Sequence, residues 1–252
     1  MDAQPWVLYG VITAGLVLAG LWALPPAGAL KGWWEKKGCC ARRAEEMYLR
    51  AVRAFAIQAH GAQTYGSGVP YSFHLLSVEN VLLEFGHGDV FERAGAWLHD
   101  VLDDTAVTRE MLRARFGLLI EGLVAFCTDE PGASRKIRNQ ATFMRMRGAI
   151  ASVQMFRGDM TWIHRAIRVK CADRLANIRA CVAGMKPSLL KMYQDEHPVF
   201  RKTLYIAGVC DGMWDEMHRL LFPGEPTERE FAAAVDAFAA RNTPVDETGG
   251  AP

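Results

Sequence analysis

From residue 42 to residue 241 apolar side chains recur at intervals of three and four, and no segment shows the strict alternation of a half-buried strand between turn signals. The period predicts an all-α domain with helices over 42–62, 71–86, 89–104, 108–115, 117–128, 135–155, 161–184, 188–222 with a break at Pro198, and 227–241. Gly66-Ser67-Gly68-Val69-Pro70 is the clearest loop signal, since glycine and proline suit turn backbone better than a helix interior. Thr243 to Pro252, with two glycines, two prolines and no apolar period, reads as a frayed tail.

A different pattern precedes the domain. Trp6 to Leu24 runs nineteen residues without a charge, close to the ~20 apolar residues that cross a bilayer as a helix. Lys31, Trp33, Trp34, Lys36, Lys37, Arg42 and Arg43 follow, and aromatic residues beside a basic cluster belong at the cytoplasmic face of a membrane. The expectation is a single-pass anchor touching lipid through residues 6–24, with the rest of the chain in the cytoplasm. The chain then divides into a membrane anchor (1–30), a basic juxtamembrane linker (31–44), a helical domain (45–222), and a last helix with a flexible tail (223–252).

Charge narrows the partners. Lys plus Arg number 29 and Asp plus Glu 28, a net charge of +1 that excludes a strongly basic nucleic-acid binder, so neither DNA nor RNA is expected. One stretch departs from this balance: between Pro131 and Gly158 stand Arg135, Lys136, Arg138, Arg145, Arg147 and Arg157 with no acid among them. Such a stretch suits a polyphosphate and equally an anionic bilayer surface. Six cysteines without a CxxC pair fit neither a disulfide framework nor a zinc ribbon; Cys127, Cys171, Cys181 and Cys210 fall on apolar faces and read as core.

The chemistry gathers in Trp97-Leu98-His99-Asp100-Val101-Leu102-Asp103-Asp104-Thr105. On a continuous helix His99, Asp100 and Asp103 lie opposite the stripe of Ala94, Trp97, Leu98, Val101 and Leu102. Asp100 would repel Asp103 and Asp104 at three and four residues' separation, and all three would meet the negative end of the helix dipole. A divalent cation relieves that repulsion; a solvated polar face is the plainer reading of the segment alone. His74, just after the glycine loop, taken by itself is more often a capping or core histidine than a ligand. Asp173 stands in a largely apolar helix, four residues from Asn177 and so on its face, and needs a partner or a metal. His87, His164, His197 and His218 have no ligand-like spacing to one another and read as surface residues.

Taken in order, Ala59-His60-Gly61-Ala62-Gln63-Thr64, Ser67-Gly68-Val69-Pro70-Tyr71 with His74, His99-Asp100-Val101-Leu102-Asp103-Asp104-Thr105, and Val169-Lys170 with Ala172-Asp173-Arg174-Leu175 and Asn177 form a pattern. It resembles the HD-domain metal-dependent phosphohydrolases, specifically the hydrolase domain of the RelA/SpoT family and its small single-domain relatives. These remove pyrophosphate from guanosine tetra- and pentaphosphate. The resemblance implies an HD-domain helical bundle behind the predicted transmembrane helix, with His74, His99, Asp100 and Asp173 as ligands of a metal that in the family is usually manganese. It places Asp103 and Asp104 on the attacking water, in the position of the family's Glu-Asp pair, and Asn177 on the nucleotide. Tyr65 and Gly66 stand where relatives carry Arg-Lys, so Tyr65 would stack on the base, while Lys136 and its basic neighbours would hold phosphate. The implied reaction releases pyrophosphate from the 3′ position of the guanosine alarmone. Another nucleotide is the alternative substrate, and a catalytically quiet nucleotide-binding module is the alternative role.

Overall fold

The computed structural model describes residues 27–66, 68–184 and 186–242. By contacts the chain forms two units, residues 1–48 and 49–252. The first helix, α1 (Ala27–His60), is continuous; it begins at the end of the stretch expected as an anchor, 1–30, and runs through the stretch expected as a linker, 31–44. One expectation is corrected here: among the described residues no helix is long and apolar enough to cross a membrane. The physical reason lies in α1, where Lys31, Glu35, Lys36, Lys37, Arg42 and Arg43 put charges on successive turns that hydrocarbon would reject. The transmembrane helix, the bilayer contact and the membrane localisation are therefore no part of the described fold. The run 6–24 that prompted them lies outside the described residues.

Among its described residues, the regular structure of the unit from residue 49 onward is helical apart from one small hairpin. After α1 come β1 (Thr64–Tyr65) and β2 (Val69–Pro70), paired antiparallel with Thr64 opposite Pro70 and Tyr65 opposite Val69. Then follow α2 (Ser72–Glu84), α3 (Val90–Leu98), α4 (Val101–Asp104), α5 (Arg109–Phe116), α6 (Leu118–Cys127) and α7 (Arg135–Met155). The remaining helices are α8 (Thr161–Ala183), α9 (Pro187–Leu204), α10 (Asp211–Leu221) and α11 (Glu228–Asn242).

Helix α8 is the axis, packed against α2, α3, α6, α9 and α10. Its Ile163, Ile167, Val169, Leu175 and Ile178 are fully buried, and burying each such side chain contributes roughly 1.5–3 kcal/mol. Cys127, Cys171, Cys181 and Cys210 are buried free thiols, as their faces predicted. Helix starts follow local chemistry: Asp89 and Glu92 form a capping box on α3, Thr108 caps α5, and Ser134 caps α7. Gly117, at φ 85°, ends α5 and starts α6 in a backbone conformation that costs glycine nothing.

Three elements differ from the periodic reading. The helix expected over 89–104 divides into α3 and α4, because Asp100 (φ −101°, ψ −3°) leaves helical geometry. The buried His99 ring and the Asp100 carboxylate are thereby turned inward, and His99 leaves the polar face on which an unbroken helix would place it. Pro198 lies inside α9 instead of breaking it; the turn comes after Leu204, where Gly208 takes φ 80°. Phe200 and Leu204 beyond the proline are buried in the core, which offsets its missing hydrogen bond. Finally, His197, expected at the surface, is only 5% exposed.

Candidate active site

Four side chains from three parts of the chain converge. His74 comes from the first turn of α2, His99 and Asp100 from the break between α3 and α4, and Asp173 from the middle of α8. His74, His99 and Asp173 offer ligand atoms that all lie within 4.8 Å of one another. Asp100 Oδ2 stands 3.0 Å from His99 Nε2 and 3.6 Å from His74 Nε2, and Asp173 Oδ1 stands 3.5 Å and 3.3 Å from the same two nitrogens.

The histidines show what the cluster is suited to hold. His99 Nδ1 lies 2.9 Å from the Ala96 carbonyl, a contact that makes Nδ1 the donor and leaves a lone pair on Nε2. That Nε2 is fully buried with no hydrogen-bond partner, and an orphaned buried acceptor aimed at two carboxylates is what a cation would satisfy. Two neutral imidazoles with two carboxylates are a donor set for a borderline divalent ion such as Mn²⁺, Fe²⁺ or Zn²⁺. Burial works against charge on His74 and His99, but the facing carboxylates outweigh it and raise both pKa values. Burial likewise opposes ionisation of Asp100 and Asp173, and the imidazoles outweigh it and hold both carboxylates low.

Two flanks adjoin the cluster. On one, Asp103 accepts the Asp129 N–H at 3.2 Å, and Lys170 Nζ lies 3.8 Å from Asp129 and 4.0 Å from Asp173 while donating to the Cys127 carbonyl. Burial pushes the Asp103 carboxyl up to about 6, against the pull of Lys170. Beyond Asp129 a cleft of about 400 Å³ opens, lined by Leu102, Phe126, Thr128, Asp129, Arg145 and Trp162 among others. On the other flank Tyr65 lies parallel to the His74 ring at 4.7 Å, its hydroxyl donating to Asn177 Oδ1 at 2.7 Å. Asn177 Nδ2 in turn donates to Asp173 Oδ1 at 2.6 Å.

The structure thus brings together His74, His99, Asp100 and Asp173, with Asp103 on one side and Tyr65 and Asn177 on the other. Asp104 is exposed, and its carbonyl accepts from Gln63. Lys136 is not brought in: it is exposed on the first turn of α7, and no hydrogen bond or ion pair among the described residues joins it to the cluster. Arg135 and Arg145 of the same basic stretch are committed to Glu196 and Glu130. The sequence reading assigned no task to Tyr71, whose hydroxyl donates to Asp100 Oδ2 at 2.6 Å and whose ring stacks on His60 at 4.4 Å. It likewise assigned none to Lys170. Both lie inside the segments singled out, but their contacts span 29 residues or cross between helices, which no local period reports.

The bundle brings together, from α2, the end of α3 and α8, a His-His-Asp cluster whose ligand atoms could hold a metal ion. Residues 52–200 match the HD domain family, and the chain belongs to that family. It is similar to the GTP pyrophosphokinase rsh of Brucella ovis, 28% identical over 177 residues that make up 70% of this chain and 22% of that protein. It is also similar to the guanosine-3′,5′-bis(diphosphate) 3′-pyrophosphohydrolase of Vibrio cholerae, 33% identical over 139 residues, covering 55% of this chain and 18% of the relative. The chain spans about a fifth of the length of these curated relatives. Among solved structures, that of a metazoan ortholog of SpoT that hydrolyzes ppGpp shares the fold, with TM-score 0.55 and 22% identity over 68% of this chain and 93% of that one.

Proposed function

We propose that this chain is a metal-dependent phosphohydrolase that removes pyrophosphate from the 3′ position of guanosine tetra- or pentaphosphate. The observation that carries the reading is the convergence of two imidazoles and two carboxylates, with an orphaned His99 Nε2 and a further carboxylate, Asp103, at the rim. The names of the relatives supply the substrate class. His74, His99, Asp100 and Asp173 would hold the ion, which we take to be Mn²⁺. When bound, such an ion supplies charge for a phosphoryl oxygen and lowers the pKa of water.

The remaining work falls to side chains. Asp103, with a carboxyl near 6, is ionised at neutral pH yet close enough in pKa to take a proton from the attacking water. Asp104, on the same short helix, would orient that water. The water oxygen bonds to the phosphorus next to the ribose 3′ oxygen as the bond to that oxygen breaks. Pyrophosphate leaves, and the ribose oxygen takes a proton. Lys170, held cationic by Asp173 and Asp129 despite burial, adds positive charge on the flank where the phosphate must sit. Tyr65 and Asn177 line the opposite flank for the nucleoside. Because Tyr65 already has one ring face on His74 and its hydroxyl on Asn177, it offers a base only its other face, and another nucleotide is the second reading.

The test is pyrophosphate release by the full chain with Mn²⁺, using guanosine tetraphosphate beside a panel of other nucleotides. Release from the alarmone that disappears in both His99→Ala and Asp100→Ala supports the assignment. Release from another nucleotide moves the substrate, and turnover that survives both variants removes the site.

A further inference from the structure

The nucleoside flank of the site ends at a cation that none of the motifs contains. Lys186 lies between α8 and α9, and its backbone N–H donates to the Cys181 carbonyl at 2.9 Å, folding the chain back after α8. Its side chain reaches the β1–β2 turn: a Cβ built on Gly66 would stand 3.7 Å from Lys186 Nζ. Gly66 itself takes φ 60°, a conformation a bulkier residue adopts only under strain, so the turn both lacks a side chain there and disfavours one. The ammonium therefore lies beside the residue that follows Tyr65.

Two further facts give this position meaning. Lys186 is exposed, and among the described residues no carboxylate pairs with it, whereas Arg135, Arg145, Arg174 and Lys170 all have carboxylate partners. The cluster also has a polarity. Asp103, Asp129 and Lys170 occupy one flank, and Tyr65, Asn177, Gly66 and Lys186 the other. If the reacting phosphate sits with the water-activating carboxylate, the rest of the nucleotide extends past Tyr65, and any phosphate on its far end approaches Lys186.

Resting on the hydrolase reading above, we propose that Lys186 is a specificity residue that binds the non-reacting phosphate of the nucleotide. It would select substrates phosphorylated at both the 3′ and 5′ positions over those phosphorylated at the 3′ position alone. A lysine is suited to this, because a mobile point charge follows a chain of phosphates without demanding one geometry.

The experiment is calorimetric binding to the full Mn²⁺-loaded chain of guanosine 3′,5′-bisphosphate and of guanosine 3′-monophosphate, for wild type, Lys186→Met and Lys186→Arg, alongside pyrophosphate release from guanosine tetraphosphate. One charge-assisted contact of ~1.5–3 kcal/mol predicts that Lys186→Met weakens the bisphosphate about tenfold or more and leaves the monophosphate within about twofold, with Lys186→Arg near wild type. Equal losses for both ligands, or none for either, overturn the assignment. If wild type releases pyrophosphate and Lys186→Met does so with unchanged KM, the hydrolase reading stands and the lysine assignment falls. If the lysine-dependent preference appears without any pyrophosphate release, the lysine assignment stands and the hydrolase reading falls. Failure of wild type to bind either nucleotide ends both.

Discussion

At Asp100 a single carboxylate oxygen is shared: the Tyr71 hydroxyl donates to Oδ2 at 2.6 Å while His99 Nε2 and His74 Nε2 face the same atom. The hydroxyl fixes which way the carboxylate points, and such outer partners of metal ligands are worth roughly 10–100-fold in metal affinity. Tyr71→Phe keeps the ring stacked on His60 and removes only that donor. We expect Mn²⁺ binding by this variant, measured as free Mn²⁺ by electron spin resonance, to weaken about tenfold with little change in thermal unfolding of the apoprotein; unchanged affinity would reduce Tyr71 to a packing residue. Of the residues that the sequence named, the structure brings together His74, His99, Asp100 and Asp173, with Asn177 beside them, and all lie within the motifs. Tyr71 and Lys170 were not legible as participants, because a phenol or an ammonium acquires its role from a partner far along the chain.

Helix α3 must hold His99 in place, and two features of the helix do so. Gly95 is the point of closest approach: a Cβ there would fall 2.5 Å from Leu123 Cδ2 on α6 and 3.1 Å from Val169 Cγ2 on α8. Overpacking of this kind costs about 1–3 kcal/mol, so Gly95→Ala should lower the unfolding free energy measured in urea by that amount and shift the His99 ring resonances; a variant as stable as wild type would show that α3 has slack. Two residues on, Trp97 Nε1 donates to the buried Glu79 carboxylate at 2.6 Å, which Arg53 and Arg93 also bind at 2.7 and 2.8 Å. Glu79→Ala removes the carboxylate that the indole N–H and both guanidiniums share, and since each arginine keeps about a quarter of its side chain in solvent the expected loss is about 2–3 kcal/mol, below the full figure for a buried pair. Denaturant unfolding checks this, and a loss under about 0.5 kcal/mol, the scale of an ordinary surface substitution, contradicts it. At this scale the helical period located most elements, because it records which face meets the core. It could not divide 89–104 at Asp100 or carry α9 through Pro198, because both outcomes are decided by tertiary contacts: the His99 cluster in one case, the burial of Phe200 and Leu204 in the other.

Across the unit from residue 49 onward, several of the charges that a neutral composition left unassigned form ion pairs that tie helix to helix around buried or half-buried carboxylates: Glu92 with Arg168, Glu121 with Arg109, and Glu196 with Arg135 and Arg174. Of the basic residues between Pro131 and Gly158, Arg135 and Arg145 are held in this way, by Glu196 and Glu130. The same packing encloses His197 between the rings of Trp214, His218 and Phe222, at 5.9, 6.5 and 5.8 Å between centroids. Burial, with His218, Arg174 and Arg201 close by and only Glu228 opposing them, lowers its pKa from 6.5 to about 4. The sign follows: the unfolded chain takes up a proton below about 6.5 and the folded chain only below about 4, so this residue favours the folded state above that window and loses its contribution as pH falls through it. At ~1.4 kcal/mol per pH unit the full loss is roughly 3 kcal/mol. Other groups also titrate there, so the measurement is a comparison: urea unfolding of wild type and His197→Phe at pH 7.5 and pH 4.5. The phenyl ring fits among the same aromatic neighbours and cannot be protonated, so wild type should lose roughly 2–3 kcal/mol more than the variant on acidification. Parallel losses in the two proteins would mean that the acid sensitivity of this fold resides in its carboxylates and not in the enclosed imidazole.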